Sequence, residues 1–433
     1  MRGIVIAGTS SGIGKTTITL AVMNALRGEV QPYKVGPDYI DPSHHKEITE
    51  KPSRNLDIFM MDEKGVRENY SRGEGDFGVI EGVMGLYDSY EESTAKVAEI
   101  LDLPVILVVD ATNGMESVAA TALGFKEYGE VDVAGVIVNK VSSKKQLEGI
   151  KDGLKRAEID YLGMVQYENE FEIPSRHLGL YMGKENPLDE EKLNKVSKNL
   201  KIEEITNKTR EKSFNLNYSE ENDHIDEDIP KIGVACDPAF NFYYTRNIEI
   251  LSKISDPVFF SPIEDELPLA DGYYFGGGYP ELYIKNLSEN SSIKDDLVDA
   301  ASRGKPIFGE CGGFMYLSDK IKYKGENYKM AGILPVEIEM TDSLQSVGYS
   351  RLKAKKDSPI SDKGEYIKGH EFHYSKSHLK KDAKTVFDMK RGKGVNGKED
   401  GVIEYNALGC YTHLHGCTQG YLNKFVYEAR EKR

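Results

Sequence analysis

Two α/β domains in tandem, each built on a doubly wound and mainly parallel sheet, are what this sequence predicts. Three observations carry that expectation. The chain has 433 residues, too many for one ordinary core. Short, continuous, β-branched apolar runs alternate with helical patterns, and the alternation occurs twice, as in parallel sheets buried on both faces. Between the two series lies a stretch, from about 184 to 230, rich in Lys, Glu and Asn and ending in YSEENDHIDEDIP. It reads as a helix or two followed by a solvated linker. The expected boundaries are 1–200 for the first domain, 201–230 for an acidic linker and 231–433 for the second domain.

In the first domain the strands are IVIAG (4–8), FGVIEG (77–82), PVILVVD (104–110) and AGVIVNKV (134–141). TTITLAVMNAL (16–26) and SVAATALGFKEYG (117–129) are its clearest helices. In the second domain KIGVACD (231–237) is a strand and DGYYFGGGYPE (271–281) a strand entering a glycine-rich turn. KPIFGECGG (305–313) is a strand ending at a cysteine, and LGCYTHLHG (408–416) is the last strand.

With 39% hydrophobic and 29% charged residues, the chain is a globular protein. A net charge of −15 argues against a nucleic-acid partner, which needs a basic surface. No apolar run reaches the eighteen or so residues of a membrane span, and the N-terminal apolar stretch is too short for a secretory leader. The four cysteines, at 236, 311, 410 and 417, fit no zinc spacing and are too few for a disulfide framework. A cytoplasmic, reducing location is expected.

GTSSGIGKTT (8–17) joins a strand to a helix N-terminus, where backbone N–H groups and the helix dipole attract an anion. Gly8, Thr9, Gly12, Gly14, Lys15, Thr16 and Thr17 form this candidate phosphate loop. Lys15 would reach the β- and γ-phosphates, and the Thr16 hydroxyl would ligate Mg²⁺. The spacing is a variant: the position five before Gly14 is Thr9, and glycine comes at 8. Magnesium prefers oxygen ligands, one or two of them carboxylates, and acids at the carboxyl ends of parallel strands are the candidates. Those are Glu81, ending its strand, Asp38 and Asp41 in KVGPDYIDP, and Asp88 in GLYD.

GTSSGIGKTT, KVGPDYIDPSHH, SRNLD and IEGVMGLYD together resemble the synthetase half of cobyrinate a,c-diamide synthases, which is related to dethiobiotin synthetase. The resemblance spans nearly the whole chain. It implies a P-loop NTPase-like first domain in which Lys15 and Thr16 handle ATP and Mg²⁺. Asp38 and Glu81 match acidic metal ligands, Asp41 and Asp88 match acids of the active site, and Asn139 in VNKV matches a position that meets adenine.

PIFGECGGFMYL (306–317) reads as strand, tight turn and helix, with Cys311 at the bend. Such an elbow exposes the sulfur at a helix N-terminus, whose dipole is expected to lower the thiol pKa. A base would come from the histidines of CYTHLHG. FGGGYPEL (275–282) is the candidate oxyanion hole, with N–H groups near Gly277 or Gly278 joining that of Gly312. GECGG with GGGYPE resembles the class I glutamine amidotransferase domain, in the branch of enzymes that amidate cobyrinate and cobyric acid. His413 matches the catalytic histidine of that branch. His415 stands where the common triad has Glu, and an exchange of roles between the two is left open. His370 and His373 in KGHEFHYS either orient substrate or stabilise the domain.

The two chemistries join in one reaction. Attack of Cys311 on glutamine gives a thioester and ammonia, while ATP converts a carboxylate to an acyl phosphate that ammonia turns into an amide. The sites must communicate, because free ammonia and the acyl phosphate are both lost to water. The resemblance implies ATP, glutamine and a tetrapyrrole polycarboxylate as partners, either cobyrinate or, in a nearly identical family, Ni-sirohydrochlorin. It leaves a homodimer open. A nucleotide switch or partition ATPase is the reading from another class, and it gives the Cys–His half no task.

Overall fold

The computed structural model describes the chain except for residues 90–91, 168–174, 177–178, 187–188, 215–228, 419 and 433. Most of YSEENDHIDEDIP therefore lies outside the described residues. The chain divides into two compact units, Met1–Tyr218 and Ser219–Arg433.

In the first unit the strands are β1 (Arg2–Gly8), β2 (Val30–Val35), β3 (Arg54–Leu56), β4 (Phe77–Glu81), β5 (Val105–Asp110), β6 (Val133–Val141) and β7 (Tyr161–Gln166). They form one sheet in the order β3-β2-β4-β1-β5-β6-β7, and every neighbouring pair in that order is parallel. Ile4, Val5, Ile6 and Val105 to Val108 are completely buried, as expected of strands covered by helices on both faces. From β1 the chain winds outward through β2 and β3, returns as β4, and then crosses to β5 on the other side of β1. Sheets of this kind bind ligands at the carboxyl ends of the strands flanking such a crossing.

A short hairpin of β8 (Ser175–Arg176) and β9 (Gly179–Leu180) follows. Residues 201–212, expected to open the linker, instead belong to the sheet's periphery. Ile202–Lys208 is a helix, and β10 (Arg210–Glu211) pairs antiparallel with β1 at Arg2 and Gly3. The β1–β5 register begins only at Val5, so that edge of Arg2 and Gly3 is left for β10. Arg210 is 2.5 Å from both Asp102 and Asp132, and Lys212 also pairs with Asp102. The charge read as a solvated linker is here spent on neighbouring acids.

The second unit contains β11 (Lys231–Ala235), β12 (Asp256–Phe260), β13 (Gly272–Phe275), β14 (Ile307–Glu310), β15 (Ser318–Tyr323), β16 (Glu326–Lys329) and β17 (Leu334–Met340). It continues with β18 (Ser346–Ala354), β19 (Tyr366–His373), β20 (Ser375–Leu379), β21 (Lys384–Arg391), β22 (Glu399–Glu404), β23 (Ala407–Cys410) and β24 (His413–Leu414). Ten strands form one sheet in the order β12-β11-β13-β14-β23-β22-β21-β18-β19-β24. The first five are mutually parallel, and from β23 onward every pairing is antiparallel. This antiparallel extension, together with a four-stranded sheet β16-β15-β17-β20, goes beyond the doubly wound pattern read from the sequence. It supplies β19, which carries His370 and His373, and β24, which carries His413 and ends one residue before His415. Among the described residues no helix is long and apolar enough to cross a membrane.

Candidate active sites

At the carboxyl end of β1 the loop Gly8–Thr17 leads into helix α1 (Lys15–Ala25). Gly14 takes φ 88° and Gly12 φ 73°, left-handed values that a side chain would strain. At Gly14 a Cβ would also stand 2.3 Å from the Asn139 amide nitrogen. That nitrogen donates to the Ile13 carbonyl at 2.6 Å, and the Asn139 Oδ1 accepts from the Lys140 N–H. The task this geometry displays for Asn139 is bracing the loop. Lys15 curls back over the loop, its Nζ donating to the Ser10 carbonyl at 2.8 Å. Burial, then the charge of Lys34, brings its pKa down to about 8.

Beside the loop is a buried cluster of charges. Parallel register sets Ile6 against Glu81 and Lys34 against Glu81, so β1, β2 and β4 converge on one carboxylate. Glu81 is fully buried and accepts from the Thr16 hydroxyl at 2.7 Å, from Lys34 Nζ at 3.1 Å and from His45 Nε2 at 2.7 Å. His45 comes from α2 (Ile40–Thr49), and its Nδ1 meets the Ser53 hydroxyl at 2.9 Å. Lys34 also lies 2.6 Å from Asp41. Burial opposes the charge on Lys34, but Asp41 and Glu81 outweigh it and push its pKa up. Glu81 is held well below the usual carboxylate range, since Lys34, then His45, overcome the effect of burial. Asp41 goes the other way, raised by burial and then by Glu81. One lysine does not balance the carboxylates around it.

Asp38 has its Oδ1 on the Ile40 N–H at 2.9 Å, starting α2, and its carbonyl accepts from Asn55 Nδ2 at 2.8 Å. SRNLD thus ties down KVGPD. Asp88 is exposed. Its Oδ2 accepts from the Gly85 N–H at 2.8 Å, closing a turn whose Leu86 N–H donates to the Gly8 carbonyl at 2.8 Å. The charges of Asp41, Glu81 and Asp88 all act on Lys15, so the structure gathers the phosphate-loop lysine and three of the four predicted acids in one field. Among the described residues no group of three or more His, Cys, Asp or Glu side chains is arranged to hold a metal unaided. A divalent cation shared with phosphates needs fewer protein ligands, and the paired oxygens of Thr16 and Glu81 beside a surplus of carboxylate fit such an ion.

In the second unit Cys311 stands between β14 and the six-residue helix Gly312–Leu317, with φ 44° and ψ −94°. Positive φ at a non-glycine residue is a strain that persists at functional turns. The Cys311 N–H donates to the Cys410 carbonyl at 2.7 Å. Its sulfur is 3.8 Å from the Phe372 carbonyl and the residue is 6% exposed. The expected lowering of the thiol pKa is overturned. Burial, then the charges of Glu281 and Glu310, push it far up, and the Gly312 N–H offsets little of that.

The glycines predicted for the oxyanion hole converge on this elbow. A Cβ on Gly312 would stand 3.0 Å from the Gly278 nitrogen, and the Gly313 N–H donates to the Gly276 carbonyl at 3.0 Å. A Cβ on Gly277 would meet His413 Cε1 at 2.3 Å, so the backbone at 277 lies flat against the imidazole. Burial, then His370 and His373, lower the His413 pKa to about 3. The strand that bears His413 is joined to the residue before the cysteine, because the Leu414 N–H donates to Glu310 Oε1 at 3.1 Å. Burial raises the Glu310 pKa to about 8.

The other histidines separate by what they touch. His415 packs on Tyr244 with ring centroids 4.8 Å apart, and its Nδ1 accepts from the Cys417 N–H. His373 stacks on Tyr411 at 3.7 Å, while its Nδ1 donates to the Ser375 carbonyl. His370 is the register partner of His413 across β19 and β24 and sits edge-on to Tyr349.

Sequence reasoning missed Lys34 and His45, both inside the quoted KVGPDYIDPSHH, and the buried acid Asp400. A lysine inside an otherwise buried strand was the available signal for Lys34. For His45 the partner Glu81 comes from a separate strand, and for Asp400 the partners are set by the pairing of β22 with β23.

Residues 4–180 match the CobQ/CobB/MinD/ParA nucleotide binding domain, and residues 231–419 the CobB/CobQ-like glutamine amidotransferase domain. The cobyrinate a,c-diamide synthase of Haloarcula marismortui is 44% identical over 96% of each chain. That of Methanobrevibacter smithii is 40% identical over 95% of each chain, and that of Archaeoglobus fulgidus 37% identical over 99% of this chain and 98% of its own. Among solved structures, PurLQS from Thermotoga maritima aligns with a TM-score of 0.37 at 19% identity, covering 47% of this chain and 98% of its own. MinD from Aquifex aeolicus aligns with a TM-score of 0.29 at 16% identity, covering 39% and 84%. With both domains matched and near full-length relatives of one kind, the chain belongs to the cobyrinate a,c-diamide synthase family.

Proposed function

We propose that this chain amidates the a and c acetate carboxylates of cobyrinate, using ATP and glutamine, in cobalamin biosynthesis. The observation that carries the reading is the convergence of the Cys311 elbow, Gly277, Gly278, Gly312 and His413 in a chain that also holds a phosphate loop.

In the amidotransferase unit His413 takes the Cys311 proton as the sulfur attacks the glutamine amide carbon. The N–H groups at Gly277 or Gly278 and at Gly312 receive the developing oxyanion. The proton passes to the departing nitrogen, ammonia leaves, and water hydrolyses the thioester to glutamate. In the synthetase unit a substrate carboxylate oxygen attacks the γ-phosphorus of ATP as ADP leaves, and ammonia then displaces phosphate from the acyl phosphate, losing a proton as the amide forms. Gly8, Thr9, Gly12, Gly14, Thr16 and Thr17 cradle the polyphosphate, and Lys15 leaves the Ser10 carbonyl to contact it. Thr16, Glu81 and Asp38 would hold Mg²⁺, which supplies charge neutralisation across the phosphates. Asp41 and Asp88 stand nearer the carboxylate being activated, and Lys34 between Asp41 and Glu81 tempers their repulsion of an anionic substrate. The four free thiols suit a reducing cytoplasm.

The test offers the purified chain cobyrinate and, separately, Ni-sirohydrochlorin, each with Mg·ATP and glutamine, and follows the products by mass spectrometry. Double amidation of cobyrinate, with glutamate, ADP and phosphate released, is the expected result. Preference for Ni-sirohydrochlorin would move the substrate assignment and leave the chemistry standing. ATP hydrolysis without glutaminase activity or amidation would favour a nucleotide switch.

A further inference from the structure

The common class I triad aims its histidine with a carboxylate two residues on, and here that position is His415, whose ring is packed on Tyr244. What aims His413 instead is visible in its chain neighbours. Asp400, on β22, is completely buried. Its Oδ1 accepts from the Gly401 N–H at 2.9 Å and the Tyr411 N–H at 3.1 Å. Its Oδ2 accepts from the Thr412 N–H at 3.2 Å and the Thr412 hydroxyl at 2.8 Å. Four donors converge on one carboxylate, enough to satisfy its acceptor capacity. On the far flank Glu310 receives the Leu414 N–H, and one residue before the clamp the Cys410 carbonyl accepts from the Cys311 N–H. The backbone is therefore fixed on both sides of His413 and tied at each side to the cysteine elbow. Burial, then Glu371, lifts the Asp400 pKa to about 7, a sign of how little water reaches this clamp.

We infer that Asp400, acting through Tyr411 and Thr412, is a positioning residue for His413. It holds the backbone that carries the imidazole, through the two residues just before it. The inference rests on the reading of His413 as the base of the glutaminase step. Misplacing a base by about 1 Å costs on the order of 10²-fold in rate.

Asp400→Asn should therefore lower glutamine-dependent kcat by roughly 10²-fold, with the glutamine KM and ammonia-dependent amidation little changed. Thr412 supplies a second test that does not depend on Asp400→Asn folding. Thr412→Val removes the hydroxyl donor and keeps the volume, whereas Thr412→Ser keeps the donor and removes a methyl that packs against Gly369. If the hydrogen bond matters, the Val variant should fall about 10-fold and the Ser variant should retain several times more activity. If Thr412 merely packs, the order reverses. Reversal, equal activity in both, or an effect confined to KM would overturn the inference. His413→Ala in the same assay separates the two layers: retained glutaminase activity there would remove the base itself, and the clamp would fall with it.

Discussion

Glu81, at the end of β4, is grasped by a threonine hydroxyl, a lysine and a histidine, whereas Cys311, at the end of β14, faces a carbonyl oxygen and the fields of two glutamates. Both sit at the end of a parallel strand, and both are buried. Yet one is held ionised at rest and the other neutral. The difference follows from when charge is needed. A polyphosphate arrives already charged, so its site keeps lysines and carboxylates in fixed opposition. On the proposed reading the glutaminase step creates charge only as sulfur attacks, which suits a site whose thiol and imidazole are kept neutral and whose glycine N–H groups would meet the oxyanion as it forms.

The sharpest way to break this comparison is Cys311→Ser. Glutamine-dependent amidation should fall on the order of 10⁴-fold or more, while amidation with ammonium salts continues. Retained glutaminase activity would remove Cys311 from the reaction. Lys15→Ala should instead lower amidation by roughly 10²- to 10³-fold with either nitrogen donor. A rate unchanged at saturating ATP and ammonia would deny the loop its phosphate role. Gly277→Ala pushes a methyl into the His413 ring and should cost about 10²-fold in glutaminase kcat, with ammonia-dependent synthesis as the internal control. An unaffected glutaminase would mean that His413 does not need its present place.

Smallest and most discriminating are the acids. Glu81→Gln should raise the Mg²⁺ concentration needed for half-maximal activity by about 10-fold, with partial rescue at high Mg²⁺. Asp88→Asn should slow amidation several-fold at saturating Mg·ATP and leave the Mg²⁺ requirement alone. Identical Mg²⁺ curves for the two variants would show that their roles have been divided wrongly.

What was legible in the sequence was what is encoded locally. The glycine-rich turn before Lys15, the GKT triplet and the Cys311 elbow are short segments whose placement between strand and helix follows from their own spacing. Lys34 was not legible as a partner of Glu81, because the two meet only through the β2–β4 register, and strand order is not written in any one segment. Asp400 meets Tyr411 and Thr412 through the register of the hairpin β22–β23, which the sequence reading had not resolved into two strands. The thiol pKa was misjudged in sign because a six-residue helix dipole was weighed without the burial and the two acids that only the packed structure brings to it. Asn139, expected from the resemblance to meet adenine, also has a second engagement the sequence did not show, its amide donating to the loop at Ile13.

The Phe372 carbonyl over the Cys311 sulfur carries a consequence for the chemical lifetime of the enzyme. Peroxide attacks thiolates, and a buried thiol with a raised pKa presents almost none. Cys236, which is exposed, should form sulfenic acid first when the ligand-free chain is treated with peroxide, as read by dimedone labelling and peptide mass spectrometry. Labelling of Cys311 ahead of Cys236 would contradict this. If Cys311 is the nucleophile proposed above, storing it in its unreactive form lets it survive between turnovers, and the resting molecule ages at its surface before it ages at that elbow.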